Sequence, residues 1–393
     1  MQYRNDRYGN PISLLGFGCM RLQREGRGID YAQAEAQICR AVELGVTYFD
    51  TAYVYSGSED ILGRVVEAND LRDHIRIATK LPQYLIKTLG MADSILAEEL
   101  KRLRTTWVDY YLMHMVTDAQ QWRNLQALGM EDWIAQRKAE GKIRQVGFSF
   151  HGNTDEFIEV LNAYDWDFCQ IQYNYLDEHT QAGRRGLQAA HDKGIPVIIM
   201  EPLRGGKLVD LMPENGKQLI AEGPRGWSAA ELAFRWLMEQ PEVTCVLSGM
   251  NTLEMVEENC RIASDVRVGE FTDEDRALIE GVREAIQATM KIPCTGCNYC
   301  QPCPGGVDIP ALFRCYNHMF TEGKAAARQE YWQTVSLRKQ KAFARQCLDC
   351  GKCEKHCPQG IKIREQIHIA DRELRPLPWR IAGDVARHFA VGQ

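Results

Sequence analysis

Absent from these 393 residues is any apolar run long enough to cross a bilayer, which leaves no candidate membrane span. The opening residues Met1-Gln-Tyr-Arg-Asn-Asp hold neither the apolar stretch of a secretory signal nor a twin-arginine pair, so a cytoplasmic protein is expected. A full dinucleotide-binding glycine fingerprint is missing too: Gly16-Phe-Gly18 lacks the third glycine and reads as the end of a strand. A strong overall excess of one charge is also lacking, since the net charge is −6. The balance is uneven, however: residues 291–393 carry 16 Lys+Arg against 9 Asp+Glu, and the preceding residues 31 against 44. A basic module can bind nucleic acid, but these cations are scattered along the segment. Clustered cysteines in the same segment, anionic as metal-bound thiolates, offer a nearer counter-charge, so internal compensation is expected, with no nucleic-acid or membrane partner.

Cysteine, by contrast, is abundant. Of 14 cysteines, eight fall in two tight runs, while Cys19, Cys39, Cys169, Cys245, Cys260 and Cys315 are scattered and read as buried small apolar residues. The runs are Cys294-Thr-Gly-Cys297-Asn-Tyr-Cys300-Gln-Pro-Cys303-Pro304 and Cys347-Leu-Asp-Cys350-Gly-Lys-Cys353-Glu-Lys-His-Cys357-Pro358. In a reducing compartment such runs mean metal rather than disulfides. The second has the bacterial ferredoxin spacing; the first is one residue short before its last cysteine. Zinc is the competing metal, because paired Cys-x2-Cys units also suit it, but three-cysteine runs ending in Cys-Pro favour iron-sulfur.

Upstream, from about Ile12 to Ala263, short β-branched or aromatic runs alternate with longer amphipathic stretches, as in βα units. Strands are expected near Leu14 to Gly18, Thr47 to Asp50, Ile75 to Lys80, Tyr110 to His114, Gln145 to Ser149, Phe168 to Gln172, Val197 to Met200 and Thr244 to Leu247. Helices are expected at, for instance, Ala32 to Glu43, Ser94 to Leu103 and Ala182 to His191, with one more over Thr272 to Met290. Eight units in about 250 residues suit a TIM (β/α)8 barrel, with a doubly wound sheet as the competitor. Spacing alone leaves that choice open. Composition changes after Pro293, giving a boundary near Lys291: a barrel over 1–290 and a small α-rich module over 291–393, with helical patterns at Asp308 to Arg345 and Ile363 to His388. Metal ligation would supply much of the module's folding energy.

Asp50, Lys80 and His114 stand at the C-terminal ends of consecutive expected strands, the catalytic face of a barrel, and Tyr55 follows Asp50 by five residues. Taken singly, the lysine could be a solvated strand end and the histidine a satisfied core residue. Together with their context, Phe49-Asp-Thr-Ala-Tyr-Val-Tyr-Ser-Gly-Ser-Glu59, Ala78-Thr-Lys80 and Asp109-Tyr-Tyr-Leu-Met-His114, they resemble the aldo-keto reductase signature over roughly residues 12 to 262. The resemblance implies an NAD(P)-dependent oxidoreductase interconverting a carbonyl and an alcohol on a small-molecule substrate. It makes Tyr55 the general acid, Asp50 and Lys80 its ion-paired tuners, and His114 the group orienting the carbonyl. Tyr53 is the rival tyrosine, and the family's five-residue offset selects Tyr55. The chemistry is consistent: hydride addition develops an alkoxide that needs a proton, a nearby ammonium lowers a phenol's pKa, and a carboxylate keeps a buried lysine charged.

The same resemblance implies the nicotinamide cofactor positions. Ser149 and Gln170 match residues that hold the carboxamide, with Phe150 in place of a common asparagine, and Met200 stands where a stacking tyrosine is common. Glu201-Pro-Leu-Arg-Gly-Gly-Lys207, with Pro202, Leu203 and Gly206, resembles the loop closing over the pyrophosphate. Leu247-Ser-Gly-Met-Asn-Thr252, with Ser248, Gly249 and Met250, leads to Asn259 and resembles the turn holding the adenosine end. Met20 and Asp50 complete the set. Gly249 and Met255 occupy places where NADPH-preferring members often carry cations, so both NADP and NAD remain candidates.

For the cysteine runs, resemblance to two-cluster ferredoxins implies that each run's fourth cysteine reaches across to the other cluster. Cys294, Cys297, Cys300 and Cys357 would then hold one [4Fe-4S] cluster, and Cys347, Cys350, Cys353 and Cys303 the other. The 43 residues between Cys303 and Cys347 are helical in pattern, resembling an α-helical ferredoxin, and His356 reads as a surface residue rather than a ligand. The clusters either stabilise the tail or pass electrons. A competing reading makes the chain an electron-transfer subunit docking a one-electron redox partner, with the barrel as scaffold. Hydride moves two electrons and a cluster usually one, and no clear flavin site is present to split them. A third reading, a catalytically dead barrel, is weakened by the complete set Asp50, Tyr55, Lys80 and His114.

Overall fold

Strands such as Val197-Ile-Ile-Met200 are apolar throughout because both of their faces are covered. In the computed structural model, which describes residues 1–377 except Arg27, Thr295, Cys297, Asn298, Leu337, Lys339, Gln340, Lys341 and Pro358, eight of them close into a parallel barrel. In chain order they are β1 (Leu15–Gly18), β2 (Tyr48–Asp50), β3 (Arg76–Leu81), β4 (Val108–Val116), β5 (Ile143–Phe150), β6 (Phe168–Gln172), β7 (Val197–Met200) and β8 (Val243–Ser248). Each pairs with its sequence neighbours, and β8 pairs back onto β1 through Val246–Leu15, Leu247–Gly16 and Ser248–Phe17. Closure rules out the open doubly wound sheet, the alternative that spacing left standing. The expected strands are all present, four of them (β3, β4, β5 and β8) extended by one or two residues at an end.

The two-residue period of a strand sorts the side chains. On β3, Ile77 and Leu81 join the outer core while Ala78 joins the inner one; on β4, Tyr111 and Met113 face out, and Tyr110 and Leu112 face in. The barrel interior is filled by Tyr48, Ala78, Tyr110, Leu112, Phe168, Ile198, Cys245 and Leu247. Tyr110 meets Tyr48 at a tilt and Phe168 edge-on, at 5.1 Å between ring centroids in each case. Such pairs add roughly 0.5–1.5 kcal/mol each beyond area burial. A short hairpin, Tyr3–Asn5 with Pro11–Ser13, closes the N-terminal end: Ile12 joins the inner core, and Asp6 accepts hydrogen bonds from Tyr110 (3.1 Å) and Gln145 (2.5 Å).

Helices including Tyr31–Glu43, Leu89–Arg102, Gly183–Asp192 and Asp273–Gln287 pack outside, each within a few residues of its expected limits except that Leu89–Arg102 starts one turn earlier, where Thr88 caps it. Beyond the barrel, Ile292 to Leu374 form a second, smaller apolar core. Its main helices are Ile309–Thr321, Lys324–Tyr331 and Ile363–Leu374. The long helical pattern expected over Asp308 to Arg345 is thus broken at Gly323, which turns with φ +91°, and its second α-helix ends at Tyr331, where a π-helical turn over Trp332–Ser336 follows. The end of the Ile363 to His388 helix lies outside the described residues. The tail's arginines pair with its own carboxylates: Arg314 with Glu330, Arg338 with Asp308, Arg364 with Glu354 and Arg375 with Asp371. Five of the six scattered cysteines are buried, and Cys39 is half-buried.

One strand glycine is fixed by packing. A Cβ on Gly147 of β5 would lie 2.5 Å from the Phe168 carbonyl oxygen and 2.7 Å from its ring. We predict that Gly147→Ala lowers the free energy of urea unfolding by about 2 kcal/mol, the overpacking cost in a site that cannot relax; a change within experimental error would contradict the close approach.

Candidate active site and cysteine centres

The inward-facing residues that come last on several strands are polar, and they converge at the C-terminal mouth. On β2 the alternation that buries Tyr48 inside the barrel brings Asp50 to the rim, and on β3 Lys80 follows Ala78 inward. Lys80 Nζ donates to Asp50 Oδ1 at 2.5 Å and to the Thr51 carbonyl at 2.7 Å. Gln170 Nε2, reaching in from β6, donates to the other carboxylate oxygen of Asp50 at 2.9 Å. Both charges are buried. Burial works against the Lys80 charge, but Asp50 overcomes it and holds the ammonium above the ordinary lysine range.

Tyr55 is half-buried on the loop after β2, its ring centroid 5.1 Å from Lys80 Nζ. Tyr53 instead stacks on Arg102, 4.6 Å from ring centroid to guanidinium carbon, so the structure places only one of the two rival tyrosines over the lysine. Burial pushes the Tyr55 phenol upward, and Lys80 pulls it down without reversing the direction. The motif by itself implies only the downward pull; in the folded protein desolvation is the larger cause.

His114 reaches the mouth because β4 is irregular there. The register with β5 shifts between Met113 and Val116, and Met115 adopts φ +57°. Met115 N donates to Ser149 Oγ at 2.9 Å, which pins the bulge to β5. The His114 ring meets Tyr55 edge-on at 5.9 Å between centroids. Burial first, then Lys80 and His151, hold the imidazole well below its ordinary range, so it is neutral. Its Nδ1 is a buried atom without a hydrogen-bond partner.

The expected cofactor positions spread along one side of the mouth. Ser149 and Gln170 are buried, and Met200 ends β7 against the inner core. Pro202 is buried and Leu203 half-buried in the loop after β7, where Glu201, Arg204, Gly205 and Gly206 all take positive φ. Asn259 Nδ2 donates to Ser248 Oγ at 3.1 Å, joining the end of β8 to the helix Leu253–Asp265. Gly249 is exposed, Met250 buried and Met20 58 % exposed. Sequence reading passed over Arg21, next to Met20. Its guanidinium lies 2.1–2.6 Å from where a Gly205 Cβ would stand, and its stem 3.4–3.8 Å from a Cβ on Gly249. One cation thus bridges the two loops, and the glycine spacing of those loops was the only signal that could have pointed to it.

In the tail, Cys300, Cys303, Cys347, Cys350 and Cys353 line one cavity, with Val307, Ile309 and Ile367. Cys303 therefore does reach the second run across the intervening helices. Cys300, expected with the other set, borders the same cavity, because only Gln301 and Pro302 separate it from Cys303. Asp349 N donates to Cys347 Sγ at 3.4 Å. Cys357 and Cys294 pack against the tail core, and Cys294 also borders a second cavity with Gly296, Asn317 and His318. Cys297 lies outside the described residues, and His356 is exposed. None of the described cysteines forms a disulfide. Thiol donors converging on a small apolar cavity suit an iron-sulfur cluster.

Comparison with known proteins agrees with this architecture. Residues 14–284 match the model of the aldo/keto reductase family, and residues 293–361 that of a 4Fe-4S dicluster domain. An aldo-keto reductase of Mycobacterium sp. (strain MCS) is 27 % identical over 285 residues, covering 70 % of this chain and 89 % of that protein. L-galactose dehydrogenase of Arabidopsis thaliana is 25 % identical, covering 71 % and 93 %. Among solved structures, the holo form of an aldo-keto reductase from Bacillus halodurans superposes with a TM-score of 0.59 at 23 % identity, over 72 % of this chain and 96 % of that one. One from Klebsiella pneumoniae in complex with NADPH gives 0.59 at 22 %, over 71 % and 95 %. With its closed eightfold barrel and the helical cysteine-bearing domain behind it, the chain belongs to the aldo/keto reductase family of NAD(P)-dependent oxidoreductases.

Proposed function

We propose that this chain interconverts a carbonyl and an alcohol on a small molecule, with NADP or NAD as hydride carrier, in a catalytic barrel over residues 1–290. The observation that supports it best is the convergence of Tyr55, Lys80, Asp50 and His114 at one mouth. A bound nicotinamide supplies or accepts the hydride; every other task falls to the protein. Tyr55 delivers the proton to the developing alkoxide, and its raised pKa keeps the phenol protonated near neutrality. The Lys80 ammonium stabilises the phenolate left behind, and Asp50, steadied by Gln170, keeps that ammonium charged. His114, neutral, hydrogen-bonds and orients the carbonyl. Met20, Ser149, Gln170, Met200, Pro202, Leu203, Gly206, Ser248, Gly249, Met250 and Asn259 shape the cofactor cleft. Arg21 is the cation for the phosphates, in the region where Gly249 and Met255 offer none. The NADPH complex of the Klebsiella relative favours the same cofactor class here.

The module over 291–393 holds two [4Fe-4S] clusters, on Cys303, Cys347, Cys350 and Cys353 and on Cys294, Cys297, Cys300 and Cys357. The shared cavity supports the first set. Beside that cavity Cys350 is exposed and Leu348 is 65 % exposed, a surface that favours approach of a one-electron partner. Electron transfer is therefore the second reading of the tail, next to a purely structural one. Among the described residues no helix is long and apolar enough to cross a membrane, in keeping with cytoplasmic work on a soluble substrate.

Two measurements test this. Tyr55→Phe should lose carbonyl reduction by about 10²-fold or more, the usual contribution of a positioned acid, while nicotinamide fluorescence still reports cofactor binding. Near-normal turnover in that variant would falsify the assignment. Protein purified without oxygen should contain about eight iron and eight sulfide per chain, as two cubane clusters require; about four of each would leave one cluster, and zinc in their place would overturn the tail reading.

A further inference from the structure

Where the barrel meets the tail, a chain of buried charges runs out of the loop after β7. Arg204 Nε faces Asp177 of the barrel at 3.4 Å, but Arg204 Nη2 lies 2.9 Å from Glu322 Oε1 and 2.7 Å from His318 Nδ1, both in the tail. Lys207 Nζ donates to Glu322 Oε2 at 2.5 Å. His318 in turn bonds Glu330, which pairs with Arg314 at 2.9 Å. Although burial works the other way, His318 and Arg314 hold the Glu330 carboxyl well below the usual carboxylate range. His318, Glu322 and Glu330 are close enough together to invite a metal ion. The Arg204 guanidinium lies against His318 and Glu322, however, and supplies the positive charge that such a trio calls for.

Within the loop, Arg204 N–H bonds the Glu201 carbonyl and Gly206 N–H the Leu203 carbonyl, both at 3.0 Å, yet the turn they close is strained. Glu201 and Arg204 are non-glycine residues at φ +52° and +51°, a conformation that persists only when the surroundings impose it. Both of the loop's cations engage Glu322. The Arg204 contact is sealed, whereas Lys207 is one-third exposed, so the pair at the rim is the one that can open. The connection reaches the first cysteine run: Cys294 and Gly296 border the same cavity as Arg204, Asp177 and His318, and Asn317 bonds both the N–H and the carbonyl of Ile292, at 2.8 and 2.7 Å.

We propose that Glu322 is a positioning residue of the barrel's own site: the tail latches the loop Glu201 to Lys207 shut, and the latch sets the rate at which the nicotinamide cofactor leaves. The inference rests on the reading of that loop as the cover of the pyrophosphate. It gives the cysteine-bearing domain a part in catalysis that needs no electron to pass between the domains.

The test uses the full iron-loaded protein carrying Glu322→Gln or Glu322→Asp, with iron content checked in each. Stopped-flow fluorescence of NAD(P)H should show release about tenfold faster in Glu322→Gln, within the range of site-to-site couplings. The single-turnover hydride-transfer rate should stay unchanged, and Glu322→Asp should return release toward the wild-type value. Trypsin should cleave after Arg204 and Lys207 faster in Glu322→Gln than in the wild type. Release within twofold of wild type together with unchanged cleavage overturns the latch. If the wild type binds no nicotinamide cofactor, the reading of the loop fails, yet the cleavage comparison still decides whether Glu322 holds it. Should Glu322→Gln lose its iron, Lys207→Gln breaks the same pair from the exposed side, and cleavage after Arg204 must accelerate there too; unchanged cleavage again overturns the proposal.

Discussion

An ammonium and a carboxylate buried together in the mouth of a barrel organise this molecule. Taking either charge out of water costs several kcal/mol, and their mutual attraction repays it only if the remaining hydrogen-bonding capacity is met. Here the Thr51 carbonyl accepts a hydrogen bond from Lys80 and Gln170 donates to the second oxygen of Asp50. Three strands, β2, β3 and β6, are thereby tied at a point where a closed sheet alone would leave a wet funnel. The inner aromatic layer beneath them fills the barrel, so the polar layer has nowhere to sink. In the proposed reaction the same pair makes a phenol and a neutral imidazole useful: the ammonium stands by the Tyr55 ring and adds to the burial that keeps His114 unprotonated.

The fold was largely legible because the period of two and the apolar strands are local properties. Ile77 and Leu81 against Ala78 and Lys80 can be sorted by counting along β3. Closure was not legible, since it is decided by β8 meeting β1, a pairing more than 200 residues long in sequence that no local pattern encodes. The four residues at the mouth could be named from their motifs. Their balance could not: whether burial or Lys80 governs Tyr55 depends on how deeply the loop after β2 is covered. Gln170 was read only as a cofactor ligand, and its bond to Asp50 joins residues 120 positions apart. Arg21 went unseen for a related reason, since its meaning lies in the two glycines it passes between.

In the tail, spacing announced the metal and left the assembly open. That Cys303 joins the second run follows from how Ile309–Thr321 and Ile363–Leu374 pack against each other, and that packing also brings Cys300 close. The +7 charge of the tail is expected to be compensated within it, by the anionic centre that the cysteine runs would hold. Asp308, Glu330, Glu354 and Asp371 each pair with an arginine of the tail, which leaves that net excess unchanged, and Glu322 turns outward to the barrel's cations. The tail is therefore fastened to the catalytic half by charge as well as by chain.

The pH dependence of aldehyde reduction by the wild-type protein tests the central claim most directly. If a protonated Tyr55 beside a charged Lys80 and a neutral His114 does the chemistry, kcat/KM is flat through neutrality and falls only on the alkaline side as the phenol ionises. A rate that instead climbs through pH 6–7, following an imidazole of ordinary pKa of about 6.5, would contradict the account.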